Sequence, residues 1–232
     1  MHSIQGDGFI VTLIKSRRKT IALKIKEGHV SLHMPTRAPI ALAHEFIFKK
    51  TAWIQRKLAE QDDKKIAPKE CVEGELFLFL GKEYTLHLIP SNTAISIKKT
   101  ATSIDVHGRS NRLSKTAIHT ALTRWYRQQA TLYLNARTAA LSLETGLKPH
   151  IITVKSYKAR WGSCGTHGDI QYNWKLLLAP PDIIDYVIIH ELCHLQHHNH
   201  FKDFWQLVQS HCPTFNDDRL WLKDYGHTLV LS

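Results

Sequence analysis

The stretch that most limits how this chain can fold is HELCHLQHHNH, from His190 to His200, which follows a run of apolar residues. In that run, IIDYVII at residues 183–189, apolar side chains cover nearly every side of a helix, and such a helix is buried in a protein core. Imidazoles and a carboxylate are costly inside a core unless they are hydrogen-bonded or bind a metal ion. The fold must therefore supply hydrogen-bonding neighbours or a metal ion at this point.

The spacing of the first two histidines favours a metal ion. His190 and His194 are four residues apart, so a helix places both rings on one face, where they can bind the same ion. Glu191 lies beside His190 and can reach a water molecule on that ion without being a ligand, which is the arrangement of the HExxH motif. A catalytic zinc ion takes three protein ligands and keeps its fourth position for water, so a third ligand is required.

The third ligand must come from beyond the end of the helix. His198 continues the four-residue series, but steps of about 6 Å place it about 12 Å from His190 along a straight helix. Ligands held at about 2.0–2.1 Å from one ion cannot span that distance. We expect the helix to end near Asn199, which tolerates the left-handed conformation, and the chain to return the next histidine to the ion. The predicted metal ligands are His190, His194 and His200.

Hydrophobic periodicity predicts an α+β chain with two lobes. Two stretches, residues 9–34 and 75–108, alternate apolar and polar positions as antiparallel strands do, and a helical pattern lies between them at residues 41–61. Long helical segments follow, so we expect an N-terminal β-rich lobe over residues 1–110 and a second lobe over residues 111–232.

The second lobe is predicted to contain a helix, a hairpin and the motif helix, in that order. Ser114 is a suitable N-cap for a helix that ends near Gly146. Two strands, at residues 150–164 and 168–180, are joined through SCGTHG, and the sequence PPD suits the first turn of the motif helix. We expect that helix to continue through QHH, with two shorter helices after it.

The segment HELCHLQHHNHFKDFW resembles the core of the YgjP-like family, which is related to the WLM and SprT-type zinc metallopeptidases. In that pattern HExxH is followed by five residues, a third histidine (His200) and a Phe-Trp pair (Phe204 and Trp205). The segments RWGSC and YNWKLLLAPPDIIDYV ahead of the motif are also similar, as are SRRKTIALKI, WIQRKL, FLFLGKEYTLHL and RLWLKDYG elsewhere. The resemblance therefore extends over nearly the whole chain.

This resemblance implies a zincin-like (minigluzincin) lobe of helix, hairpin and HExxH helix that hydrolyses peptide bonds. The cofactor is Zn²⁺, which lowers the pKa of its water from 15.7 toward about 7. Glu191 is the catalytic general base, and the hairpin offers an edge strand to an extended peptide. Two roles stay open for Asn173 and Trp174: lining the cleft, or strand packing with a turn hydrogen bond. Phe204 and Trp205 pack behind the site and fix the position of His200.

Two other functions remain open at this point. The formal net charge of +11 favours anionic partners, so a metal-dependent nucleoside-triphosphate (pyro)phosphohydrolase is an alternative, although no Walker-type loop is present. A nucleic-acid-binding module with a structural zinc is less favoured, because such sites close all four positions, usually with cysteines, and no CxxC pair occurs here. Basic candidates for nucleotide or nucleic-acid contact are the turn Lys15–Lys19, Arg160, and Arg124, Arg127 and Arg137 on the long helix.

The predicted location is cytoplasmic. The first residues contain no apolar leader, and no run approaches the roughly 18 apolar residues of a membrane span. The four cysteines are widely spaced, which favours free thiols in a reducing compartment. We therefore expect a peptide or protein substrate and no membrane partner.

Overall fold

The structure is a computed structural model that describes residues 2–26, 28–63 and 67–231. Within them the chain is mixed α+β, as the sequence predicted, with five α-helices. It divides into two compact units, Met1–Ile66 and Ala67–Ser232. No helix in the described ranges is both long and apolar enough to cross a membrane.

The first unit is a four-stranded sheet with one helix. Its strands are β1 His2–Gln5, β2 Ile10–Ser16, β3 Ala22–Lys26 and β4 His29–Pro35, and its helix is α1 Ile40–Asp63. The strand order is β1-β2-β4-β3, and Val11, Leu32 and Ile54 are fully buried in its core. β2 and β4 pair in parallel, whereas the sequence predicted antiparallel strands only. The SRRK segment therefore joins β2 to β3, which are not neighbours in the sheet. Local alternation of apolar and polar residues does not reveal the long-range pairing of β2 with β4.

The second unit contains two further sheets and the remaining helices. One sheet has the order β5-β6-β8-β7 and the other the order β10-β11-β9. The strands are β5 Leu76–Phe79, β6 Lys82–Pro90, β7 Ser96–Lys99, β8 Ser103–Gly108, β9 Ile152–Lys155, β10 Gly162–Cys164 and β11 Ile170–Asn173. The helices are α2 Lys115–Thr145, α3 Pro181–Cys193, α4 Lys202–His211 and α5 Phe215–Tyr225, with 3-10 helices at Ser110–Arg112, Trp174–Leu178 and Gly226–Thr228.

The division between the units lies at residue 66, whereas the sequence placed a boundary near residue 110. Strands β5 to β8 belong to the second unit because Phe77 and Ile104 share one hydrophobic core with Leu122 of α2 and Ile184 of α3. Alternating strands identify a sheet but not the element against which its apolar face packs.

Helix α2 supports the motif helix. Its ends are as predicted, since the Ser114 side chain accepts a hydrogen bond from the Ala117 N–H (3.3 Å) and Gly146 has a φ of 73°. Arg137 on α2 donates two hydrogen bonds, of 2.7 and 2.8 Å, to the carboxylate of Asp185 on α3. This two-point contact fixes α3 against α2.

The hairpin ahead of α3 differs in detail from the prediction. The stretch predicted as one strand divides into β9, which pairs in parallel with β11, and β10, which pairs antiparallel with it. The LLL segment forms a 3-10 helix instead of a strand, because the Asn173 side chain accepts a hydrogen bond from the Lys175 N–H (3.3 Å) and caps it. In the described part of the chain, β10 has a neighbouring strand on one side only.

Candidate metal centre

The motif helix ends within the motif. α3 stops at Cys193 and His194 is its C-cap, so the QHH segment lies outside the helix that was predicted to contain it. His194 Nδ1 donates a hydrogen bond to the carbonyl oxygen of His197 (2.9 Å). A contact of this kind fixes both the tautomer and the orientation of the ring, and it leaves Nε2 of His194 available.

The chain then returns His200 to the helix, by a route other than the predicted one. Asn199 is not left-handed: among the described non-glycine residues, only Cys71 and Leu80 have positive φ. Instead, the Asn199 side chain accepts a hydrogen bond from the Phe201 N–H (3.2 Å), which closes a side-chain turn. Nε2 of His200 thereby lies 3.2 Å from Nε2 of His190.

The structure brings the three predicted histidines together. His190, His194 and His200 each offer one ligand atom, and these atoms lie within 4.8 Å of one another. Tetrahedral zinc with Zn–N distances of about 2.0–2.1 Å separates its nitrogen ligands by about 3.4 Å, which is close to the 3.2 Å between Nε2 of His190 and Nε2 of His200, and the three residues could hold one metal ion. His197, His198 and Asp203 are not part of the group.

The electrostatics of His190 also suit a metal ligand. Its Nδ1 is buried and has no hydrogen-bond partner among the residues that the structure describes. Burial, and then the neighbouring His194 and His200, lower the pKa of His190 to about 3. The ring is therefore neutral at neutral pH and binds a cation without first losing a proton.

Aromatic rings of α4 form a wall behind the histidines, as predicted. Phe204 stacks on His194 with ring centroids 4.4 Å apart, and its centroid lies 4.9 Å from that of His190 and 4.8 Å from that of His200. Trp205 lies 5.7 Å from His200. Because each imidazole contacts this wall, α4 limits how far the rings can turn.

Glu191 lies beneath β10. Its side chain is buried, and burial raises the pKa of the carboxyl to about 8, which the nearby Arg160 partly opposes. A Cβ atom on Gly162 would lie only 2.6 Å from Oε1 of Glu191. A glycine is therefore required for β10 to pass this close to the carboxylate.

A cavity of about 180 Å³ opens beside this carboxylate. Sequence reasoning missed three residues that line it: Trp161, Tyr186 and Leu222. Tyr186 precedes His190 by one helical turn, with ring centroids 5.9 Å apart, so extending the four-residue spacing backward identifies it. Trp161 and Leu222 come from other elements, and no local pattern connects them to the motif.

The thiols around the site are free and protonated. Cys164 is half-buried, and burial together with Glu191 and Asp169 raises the pKa of its thiol to about 11. Burial raises the pKa of Cys193 to about 12. Neither cysteine is a thiolate at neutral pH, so neither is a nucleophile or a competing soft ligand in this state.

Asn173 and Trp174, for which cleft lining and strand packing were both open, are buried, and Asn173 also lines a cavity of about 330 Å³. Asn173 donates hydrogen bonds from Nδ2 to the carbonyl oxygens of Tyr157 and Arg160, both at 3.1 Å. Trp174 donates from Nε1 to the Ser156 hydroxyl (3.0 Å). Both residues therefore hold the loop that leads into β10.

The basic residues of the long helix do not form one surface. Arg137 pairs with Asp185, Arg127 donates to the Ser156 hydroxyl at 2.7 Å, and Arg124 lines a separate cavity. Their interleaving with aromatic residues therefore reflects helix packing.

Comparison with known proteins identifies a family for this chain. A family model described as YgjP-like, metallopeptidase domain matches residues 19–225. The solved structure of the metallopeptidase zymogen abylysin from Pyrococcus abyssi aligns with 39% of this chain and 93% of its own length, at 18% identity and a TM-score of 0.33, a similarity too low to assign a fold. No curated protein matches the chain. The family match includes the three histidines, the buried glutamate and β10.

Proposed function

Because the chain belongs to the YgjP-like metallopeptidase-domain family, we propose that it hydrolyses peptide bonds with a zinc ion held by His190, His194 and His200. The observation that carries this proposal is the meeting of three imidazoles, two from the end of α3 and one from beyond the following turn, beside one buried carboxylate. Three imidazoles form the ligand set of catalytic rather than structural zinc sites, which favours hydrolysis over a purely structural metal.

A zinc ion bound there supplies Lewis-acid chemistry, polarising the scissile carbonyl and lowering the pKa of water in the site. Glu191 is the general base: its carboxylate accepts a proton from the attacking water and delivers it to the departing amine. In the metal-free chain the pKa of Glu191 is about 8, and a cation placed beside it favours the charged, proton-accepting form. His194 keeps its orientation through its hydrogen bond to the His197 carbonyl.

The substrate lies along β10 in this proposal. An edge strand leaves alternate N–H and C=O groups unpaired, and an extended peptide satisfies them by adding a strand. Gly162 brings that edge into contact with Glu191, so a peptide paired with β10 passes directly over the general base. This gives the second unit a zincin-like arrangement of α2, hairpin and α3.

The test is a substrate screen with a matched variant. Zinc-loaded protein is offered a peptide library, a panel of nucleoside triphosphates and DNA, beside Glu191→Gln. We expect peptide hydrolysis that the variant loses by roughly 10²–10⁴-fold, with zinc content unchanged. Equal turnover by the variant contradicts the general-base role. Release of nucleotide products, or DNA binding alone with a steep salt dependence, contradicts the peptidase proposal.

A further inference from the structure

A second cavity, of about 330 Å³, adjoins the one beside Glu191. The two cavities share Trp161 and Leu222 in their walls. These two side chains therefore form a shared boundary of the two cavities.

The second cavity is cationic. Lys158, Arg160 and Lys175 line it, and no aspartate or glutamate does. The Arg160 guanidinium lies 5.2 Å from the centroid of the Tyr157 ring, and its charge also acts on the Glu191 carboxyl, whose raised pKa it partly opposes. None of the three cations forms an ion pair with a described carboxylate, so their charge is available to a ligand.

The loop that carries two of these cations is held in place by the fold. The carbonyl oxygens of Tyr157 and Arg160 both accept hydrogen bonds from the Asn173 side chain, and the Trp161 carbonyl accepts one from the Asn173 N–H at 2.8 Å. Asn173 is buried. A buried side chain therefore fixes the backbone from which the side chains of Lys158 and Arg160 extend.

We propose that this cationic cavity is a substrate subsite that takes an aspartate or glutamate side chain of the peptide, an inference that rests on the proposed peptidase function. The loop runs directly into β10, and strands advance about 3.3 Å per residue. A peptide paired with Gly162–Cys164 therefore brings a side chain within one to three residues of the scissile bond to the cavity mouth. Trp161 and Leu222 supply apolar walls for the methylene groups, and the cations pair with the carboxylate.

Binding to the zinc-loaded Glu191→Gln protein tests the subsite without turnover. Labelled peptides that differ only in glutamate or glutamine at each position near the cleavage site are compared by fluorescence anisotropy. We expect the best glutamate position to bind about tenfold more tightly than its glutamine partner. The preference should shrink as salt rises, because the Debye length falls from about 10 Å at 0.1 M to about 3 Å at 1 M.

A matched pair of variants separates the cavity from general charge. The first triple variant removes the cavity cations by changing Lys158, Arg160 and Lys175 to Met. The second removes the same number of positive charges from a different cavity, of about 440 Å³, by changing Arg109, Arg112 and Arg124 to Met. We expect the first variant to lose the preference and the second to keep it within twofold. Thermal melting checks that both fold, and the single change Arg160→Glu should reverse the preference toward lysine-containing peptides.

Equal affinity for the glutamate and glutamine peptides overturns the subsite. Equal loss in both triple variants overturns it as well, because net charge then explains the preference. A further test is whether a nucleoside triphosphate displaces the peptide from the protein with intact Lys158, Arg160 and Lys175 but not from the triple variant. That result would mean that the cavity binds phosphate rather than carboxylate, and it overturns the assignment. If the preference holds while the wild type cleaves no peptide, the subsite stands as a carboxylate site and the peptidase function fails.

Discussion

The contact between Gly162 and Glu191 leads to a quantitative prediction for Gly162→Ala. The added Cβ would lie 2.6 Å from Oε1, 2.7 Å from Cγ and 2.8 Å from Cδ of Glu191, whereas ordinary contacts begin at 3.4 Å. The carboxylate must therefore move by about 0.8 Å, or β10 must rise by that amount. Because a misplacement of about 1 Å in an active site costs on the order of 10²-fold in rate, we expect kcat to fall about 100-fold.

Zinc binding separates this effect from general damage. The three heavy atoms nearest to the Cβ of Gly162→Ala all belong to Glu191, which is not a predicted metal ligand, so we expect zinc stoichiometry and affinity to remain as in the wild type. Overpacking of a buried contact costs about 1–3 kcal/mol, which urea denaturation measures. The assay is steady-state hydrolysis of the best peptide from the screen, with kcat and KM determined separately for each protein.

Gly165→Ala is the matched control in the same hairpin. A Cβ there would have its nearest contact at 3.6 Å, with the Asp169 carbonyl oxygen, and Gly165 does not have a positive φ. We expect near wild-type kcat for this variant. Wild-type kcat in Gly162→Ala, or a 100-fold loss in both variants, would refute the proposed effect of β10 on Glu191.

Two further predictions concern the metal and the helix that presents it. Zinc at 100 times its Kd should stabilise the wild type by about 2.7 kcal/mol. Thermal melting with and without zinc should show that His200→Ala loses most of this stabilisation. Unchanged zinc affinity in the variant would assign the third ligand to His198 or Asp203. Arg137→Ala removes both hydrogen bonds to Asp185. Because the two side chains are partly exposed, we expect a loss of about 1–2 kcal/mol in urea denaturation, and no loss would mean that this pair does not hold α3 against α2.

The sequence was most informative where the chemistry is local. The four-residue spacing of His190 and His194 predicted two of the three histidines that the structure brings together. The exclusion of His198 assumed a straight helix through that residue, whereas α3 ends at Cys193. The turn that returns His200 was predicted with the wrong backbone, because the side chain of Asn199 closes it rather than a left-handed φ. Sequence identifies a residue suited to a turn, but the hydrogen bond that forms depends on the neighbours.

Long-range features were beyond sequence reasoning for a different reason. The close approach of Gly162 to Glu191 depends on how β10 crosses α3, and the cavity walls combine Trp161 with Leu222 from distant segments. The parallel pairs β2–β4 and β6–β8 likewise join strands separated by a third strand in the chain. Periodicity reports which face of an element is apolar, and it carries no information about the partner of that face.

The open side of β10 also bears on self-association of this chain. An unpaired strand edge that can bind a substrate peptide can also pair with the same edge of another copy, which leads to self-association and aggregation. Here the edge is three residues long and begins with a glycine, and Lys158 and Arg160 come just before it. Two copies that approached edge to edge would bring these like charges together, so the residues that favour an acidic guest also discourage a second copy of the chain.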